Sequence, residues 1–349
     1  MLDPHTVFPY SFPIEIKNMG FSVIFANKLG NRVSVFGGTG FVGHEVVNEL
    51  SKAGYDITLW VRRPERYREF ALYQNTKVAT LSSFDDADQL KAAVSEADIV
   101  VNLTTDRSTG PEMIDVEELV HANQKLKLAM ESAGVKRVLS LSQMGVSSDQ
   151  PACDWTGLVA EVDGLMHGVA NADVTIFKPS LLIGENDDTT ARFVKQLNRM
   201  ALLMVVQSDT VVQPVWVKDF ARAVVASIGN SDSFGQKIEV VGEERLTLKE
   251  LAELVAGIMQ KEAVAFPMCR LNGMIMSKLG GLAPVVSVSK SQLQMLRNDM
   301  VSDCDFSSTF GFVPSSLERV IATYAAPHHI RERYNYYRKE ASRNAEELV

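Results

Sequence analysis

A short β-prone run, Arg32-Val33-Ser34-Val35-Phe36, passes without a spacer into Gly37-Gly38-Thr39-Gly40-Phe41-Val42-Gly43, and helical periodicity follows at once. This junction constrains the chain more than any other feature. A strand that ends in a glycine-rich turn and re-enters as a helix needs backbone that side chains would obstruct. Gly37 permits the tight turn, Gly40 lets the backbone approach a pyrophosphate, and Gly43 permits close helix–strand packing. Residues 43–53 then place Val46, Val47 and Leu50 on one face. The first N–H groups of such a helix lack partners within it, and its end carries partial positive charge. A pyrophosphate suits that position. Gly37, Gly38, Thr39, Gly40, Phe41, Val42 and Gly43 are therefore the candidate contacts to a dinucleotide.

The rest of the first half alternates between strand and helix. Strands are expected at 56–61, 78–81, 98–103 and 137–141, with helices at 88–94 and at 116–133, the latter closed by Gly134. Alternation at this spacing predicts an α/β fold, a Rossmann doubly wound parallel sheet covered on both faces. In the second half, 174–183 reads as one strand, 191–204 as a helix, 211–217 as extended, 218–228 as a helix and 237–241 as a strand. A helix over 248–259 starts at Thr247 with Glu250 three positions on, the pattern of a reciprocal cap. The expected division is an N-terminal extension (1–31), a nucleotide-binding core (32–185), a smaller C-terminal α/β lobe with strands returning to the core (186–325), and a polar helical tail (326–349).

At the end of the second strand, an NAD-type site places an acid that accepts from the ribose 2′-hydroxyl. This chain has Arg62-Arg63 there. Two guanidiniums suit a 2′-phosphate, so NADP(H) is the expected cofactor, with NAD(H) the alternative. A net charge of −8 over 349 residues argues against a dedicated nucleic-acid binder, which needs a basic face. Cys153, Cys269 and Cys304 are far apart, and the histidines form no HExxH pattern. No metal and no disulfide framework are expected, and the compartment is a reducing, cytosolic type. Residues 8–25 mix apolar side chains with Pro9, Pro13, Glu15 and Lys17, unlike a signal peptide or a mitochondrial presequence. No uninterrupted apolar run has the length of a transmembrane helix.

Taken together, the glycine turn, Asp98-Ile99-Val100-Val101-Asn102-Leu103 and Lys178-Pro179-Ser180 resemble the extended and atypical short-chain dehydrogenase/reductase superfamily. Ser142-Gln143-Met144-Gly145, Asp173-Val174-Thr175-Ile176, Gln213-Pro214-Val215-Trp216-Val217-Lys218-Asp219 and Phe310-Gly311-Phe312-Val313-Pro314 are most similar to the group around the 39 kDa accessory subunit of respiratory complex I. The similarity runs over residues 32–325. It implies bound NADPH, contacts to it from Asn102, Leu103, Lys178 and Pro179, and for many members a structural or assembly role instead of turnover. The partners implied are a respiratory or quinone-biosynthesis complex, with peripheral contact to its membrane.

Working members of that superfamily use a Tyr as general acid/base, a Lys four positions on that lowers its pKa, and a Ser on the preceding strand end. Ser142 occupies the Ser position, as a substrate-orienting group or as an ordinary strand-end hydroxyl. The other two are absent: no Tyr occurs between Tyr73 and Tyr324, and no Lys between Lys136 and Lys178. Matching the family pattern puts Trp155 near the Tyr place and Val159 near the Lys place. Neither exchanges a proton usefully. Substitute donors are Cys153, Asp154 and His167. Two functions compete: an accessory or sensing protein that keeps NAD(P)H bound, and an active oxidoreductase or epimerase on a quinone, carbonyl or sugar nucleotide. The Met-rich stretch 263–288 and the basic, Tyr-containing run 331–338 read as lobe core and solvated helix, with partner or membrane docking as the alternative.

Overall fold

Strands with β-branched residues on both faces must be covered on both sides, and the observed sheet meets that requirement. A computed structural model describes residues 29–146, 151, 153–199, 202–262, 264–268, 296 and 298–326. In chain order the first half forms β1 (Arg32–Phe36), α1 (Phe41–Lys52), β2 (Asp56–Val61), β3 (Thr76–Thr80), α2 (Ala87–Ser95), β4 (Ile99–Asn102), α3 (Leu119–Ala133), β5 (Arg137–Leu141), α4 (Asp154–His167) and β6 (Asp173–Pro179). The second half forms β7 (Leu182–Ile183), α5 (Thr190–Arg199), β8 (Leu202–Val206), β9 (Val211–Val212), β10 (Val215–Trp216), α6 (Val217–Ala226), β11 (Lys237–Val240), β12 (Leu246–Thr247), α7 (Leu248–Ile258), β13 (Val264–Met268), α8 (Phe306–Phe310) and α9 (Leu317–Ala325).

Seven of the described strands make one sheet in the order β11-β6-β5-β4-β1-β2-β3. Every pair within it is parallel. This is the doubly wound Rossmann architecture, and the strand order reverses between β1 and β4. Val33 and Val35 of β1 pack with Val46, Val47 and Phe220 under α1 and α6, while Phe36 packs with Leu126, Val159 and Ile176 under α2, α3 and α4. A separate core around Phe193, Leu251 and Ile321 joins α5, α7 and α9. The late strand β11 pairs with β6, and Arg137 of β5 ties the segment between α6 and β11 to the sheet. Its buried guanidinium donates to the carbonyls of Asp173, Ser227 and Ile228 and to the hydroxyls of Thr175 and Ser233. Burial draws its pKa down to about 10, so it remains a cation held by carbonyl dipoles.

Two expected elements differ. The single strand over 174–183 breaks after Pro179: β6 stays in the main sheet, and β7 pairs with β10. Proline has no N–H to continue a ladder, so the strand ends there and the apolar run after it finds another partner. The helix expected over 191–204 stops at Arg199, and 202–206 is a strand paired in parallel with β13. Its run Leu202-Leu203-Met204-Val205-Val206 satisfies strand and helix patterns alike, and only the presence of β13 decides. Residues 1–28, the Met-rich stretch apart from 264–268, Cys269 and the tail from 327 onward lie outside the described residues. Among the described residues no helix is long and apolar enough to cross a membrane.

Candidate dinucleotide site

The β1–α1 turn lies at the point where strand order reverses, where open α/β sheets place their ligand crevice. Gly37 adopts φ +72°, a left-handed backbone that favours glycine, and a Cβ on it would stand 2.5 Å from the Leu103 carbonyl at the end of β4. A Cβ on Gly43 would run into the Gly38 backbone. The closeness that Gly43 provides is therefore between α1 and its own turn. Gly40 is the N-cap of α1 and offers no side-chain cap, so the first N–H groups of α1 find partners elsewhere: Phe41 donates to Ser108 Oγ and Val42 to Asp106 Oδ2. A cavity of about 190 Å³ opens beside the turn, with Trp60, Leu81, Phe84 and Ala122 among its walls. A second cavity of about 400 Å³ lies on the other side, between Gly40, His44, Gly184, Asn186 and Lys218. Thr39 lines both.

The two arginines are unequally placed. Arg62 lines the smaller cavity, but Glu112 already engages it: Glu112 Oε2 accepts the Arg62 N–H at 2.7 Å and stands 3.5 Å from its Nε. Arg62 Nη2 also donates to the carbonyls of Pro111 and Met113. Arg63 is exposed. An acid thus does reach the end of β2, from a distant stretch that no local spacing could reveal. Asn102 is buried and its amide is engaged internally, donating to Asn123 Oδ1 at 2.8 Å and accepting from the Thr104 hydroxyl at 2.8 Å. It shapes the end of β4. Leu103 donates its N–H to Phe36, which joins the two strand ends. Lys178 Nζ donates to the Val146 carbonyl at 3.1 Å, and the Pro179 carbonyl accepts from Met144 at 2.9 Å.

Ser142 sits at the end of β5, buried, and its hydroxyl donates to Asp163 Oδ2 at 2.7 Å. Burial pushes Asp163 up to about 6, while the Ser142 hydrogen bond and the Lys178 and Lys237 charges pull the other way. Trp155, Val159 and Asp163 recur at every fourth position of α4, so they share one face. Trp155 and Val159 are both buried. Of the substitute donors, Cys153 is the buried N-cap of α4, and Asp154 and His167 are exposed at its opposite ends. None of the three is joined to Ser142. The acid that is joined to it, Asp163, was missed, although its fourth-position spacing from Val159 could have pointed to it.

Residues 37–199 match the family described as NAD(P)H-binding. The Arabidopsis thaliana protein named NADH dehydrogenase (ubiquinone) 1 alpha subcomplex subunit 9, mitochondrial, is 30% identical over 230 residues, covering 64% of this chain and 56% of that protein. Its Rattus norvegicus counterpart is 25% identical over 295 residues, covering 82% of this chain and 77% of that protein. The chain therefore spans little more than half the length of the first of these relatives. Among solved structures, an NADPH-dependent quinone oxidoreductase from Escherichia coli superposes with a TM-score of 0.68 at 17% identity, covering 83% of this chain and 99% of that one. At that identity the likeness speaks for the fold. The chain thus carries an NAD(P)H-binding domain on a Rossmann fold and shares homology with the NADH dehydrogenase subunits named above.

Proposed function

We propose that this chain is an accessory protein that holds NAD(P)H without turning it over, docked on a respiratory NADH–quinone oxidoreductase assembly at the membrane surface. One observation carries the reading. A turn fit for a pyrophosphate is retained, while the places of the general acid and its lysine hold Trp155 and Val159, both buried. In this reading the turn from Gly37 to Gly43 binds the pyrophosphate, Arg62 and Arg63 favour the 2′-phosphate of NADPH, Lys178 and Pro179 border the nicotinamide end, and the core 32–185 binds while the lobe 186–325 faces the partner. The names of the relatives, as subunits of a mitochondrial NADH dehydrogenase, support the location and the partner. Denaturing the natively purified protein and identifying the released small molecules by mass spectrometry tests it. About one NAD(P)H per chain, unoxidised by a panel of carbonyls and quinones, is expected. Turnover of about 1 s⁻¹, the low end of ordinary enzymes, overturns the reading.

The Ser142–Asp163 pair favours a second reading, slow reduction of a strongly electrophilic acceptor such as a quinone. Asp163 is pushed up to about 6, so below that pH it holds a proton that could pass through Ser142. In that case the rate falls as pH rises through that value and is abolished in Asp163→Asn.

A further inference from the structure

The connection from β4 to α3 places its own side chains over the start of α1 and on Arg62. At the start of α1, Ser108 Oγ accepts the Phe41 N–H at 2.6 Å and Asp106 Oδ2 accepts the Val42 N–H at 3.2 Å. These N–H groups are the donors that a pyrophosphate would require. A Cβ on Gly40 would stand 2.5 Å from both Asp106 Oδ2 and Ser108 Oγ. The space left by the missing side chain is thus filled from this connection. Asp106 is only 8% exposed, and its other oxygen accepts the Ser108 N–H at 2.8 Å and hydroxyl at 2.6 Å. Next along, the Arg107 guanidinium lies 4.7 Å from the centroid of the Trp155 ring. Further on, Glu112 holds Arg62. Thr104 and Thr109 line one cavity and Ser108 the other, so the connection partitions a groove that a dinucleotide would have to occupy as one piece.

The two occupants exclude each other. They compete for the same N–H groups, and a pyrophosphate brought beside a buried carboxylate places like charges together where water screens them poorly. We propose that the β4–α3 connection is an internal occupant of the dinucleotide groove, with Asp106 and Ser108 in the pyrophosphate position and Glu112 on the 2′-phosphate arginine, and that cofactor binds as this connection swings out. The proposal rests on the cofactor reading above. It makes cofactor affinity depend on the fraction of molecules with the connection withdrawn, so any partner that draws it away would tighten binding by the same factor.

Hydrogen exchange on the full chain, with and without saturating NADPH or NADH, tests the motion directly. Amides over 104–112 are expected to exchange faster when cofactor is added, while those at 41–43 stay protected. Unchanged or slower exchange over 104–112 overturns the proposal, because the connection is then a fixed wall of the site. Calorimetry on the double variant Asp106→Ala, Ser108→Ala supplies the energetic arm. NADPH and NADH should bind at least about tenfold more tightly than to the wild type, as expected when a competing closed state is removed. Binding by the wild type with no gain in the variant removes the occupant and leaves the cofactor reading standing. No binding of either cofactor by either protein removes both. If the variant does not fold, the exchange measurement on the wild type decides.

Discussion

Asp163 shows how one side chain links stability to chemistry. Burial raises its pKa to about 6, so the folded state favours its neutral form. Its contribution to stability is therefore complete below the ordinary carboxylate range and is lost as pH rises through that raised value. Asp163→Asn keeps an acceptor for the Ser142 hydroxyl and removes the buried charge. At pH 8 the variant should be more stable by about 2 kcal/mol, with a flatter profile between about pH 4 and 7. Thermal unfolding across that range checks this, and a variant that melts no higher than wild type at pH 8 contradicts it. The two key glycines separate in the same way. A Cβ on Gly40 meets side-chain ends of Asp106 and Ser108, which can move, whereas one on Gly43 meets Gly38 backbone, which cannot move cheaply. Gly40→Ala should weaken cofactor binding by about tenfold or more with little change in melting. Gly43→Ala should instead lower stability by about 2 kcal/mol. Equal effects of the two on unfolding would show that the turn is not divided in this manner.

At the scale of elements, regular pieces were legible where local chemistry and tertiary pairing agree. The Thr247–Glu250 cap was readable from two residues, and both halves form: the Glu250 carboxylate accepts the Thr247 N–H at 2.7 Å, and Thr247 Oγ1 accepts the Glu250 N–H at 3.1 Å. Thr247→Ala should cost about 1 kcal/mol, measured by denaturant unfolding, and no loss would mean that packing of Leu251 and Val255 alone sets the start of α7. The helix ending at Gly134 was readable too, because Gly134 takes a left-handed φ of +70°. Strands β7 and β8 were not. Their residues are apolar enough for several states, and what selects one is a partner from 33 or 62 positions away: Leu182 pairs with Val215, and Leu202 with Val264. Periodicity holds no information about such pairings.

For the whole molecule, the expectation that survives into an experiment is cofactor choice. Arg62 and Arg63 predict tighter binding of NADPH than NADH, and Glu112 opposes it by engaging Arg62 in advance. The difference should therefore be about tenfold, or 1.4 kcal/mol, in wild type and larger in Glu112→Gln. Changing both arginines to Ala should abolish it. Calorimetry with the two cofactors reads all three, and equal affinities in wild type would remove the argument for a 2′-phosphate site.

The sequence by itself determined the class of fold and the place of the glycine turn between β1 and α1, because both depend on short-range physics: a β-branched run, glycines at fixed offsets and a helix start. It also determined what is missing, since the absence of Tyr and Lys from a whole segment can be read without coordinates. Only the tertiary structure decided what surrounds those residues. Glu112 at the end of β2, Asp163 under Ser142, and Asp106 with Ser108 over the start of α1 come together across 50, 21 and 64 or 67 positions of chain. Contacts at that range are set by the winding of the sheet, which brings the ends of β1, β2 and β4 side by side. No local pattern encodes which loop side chain then fills the space between them.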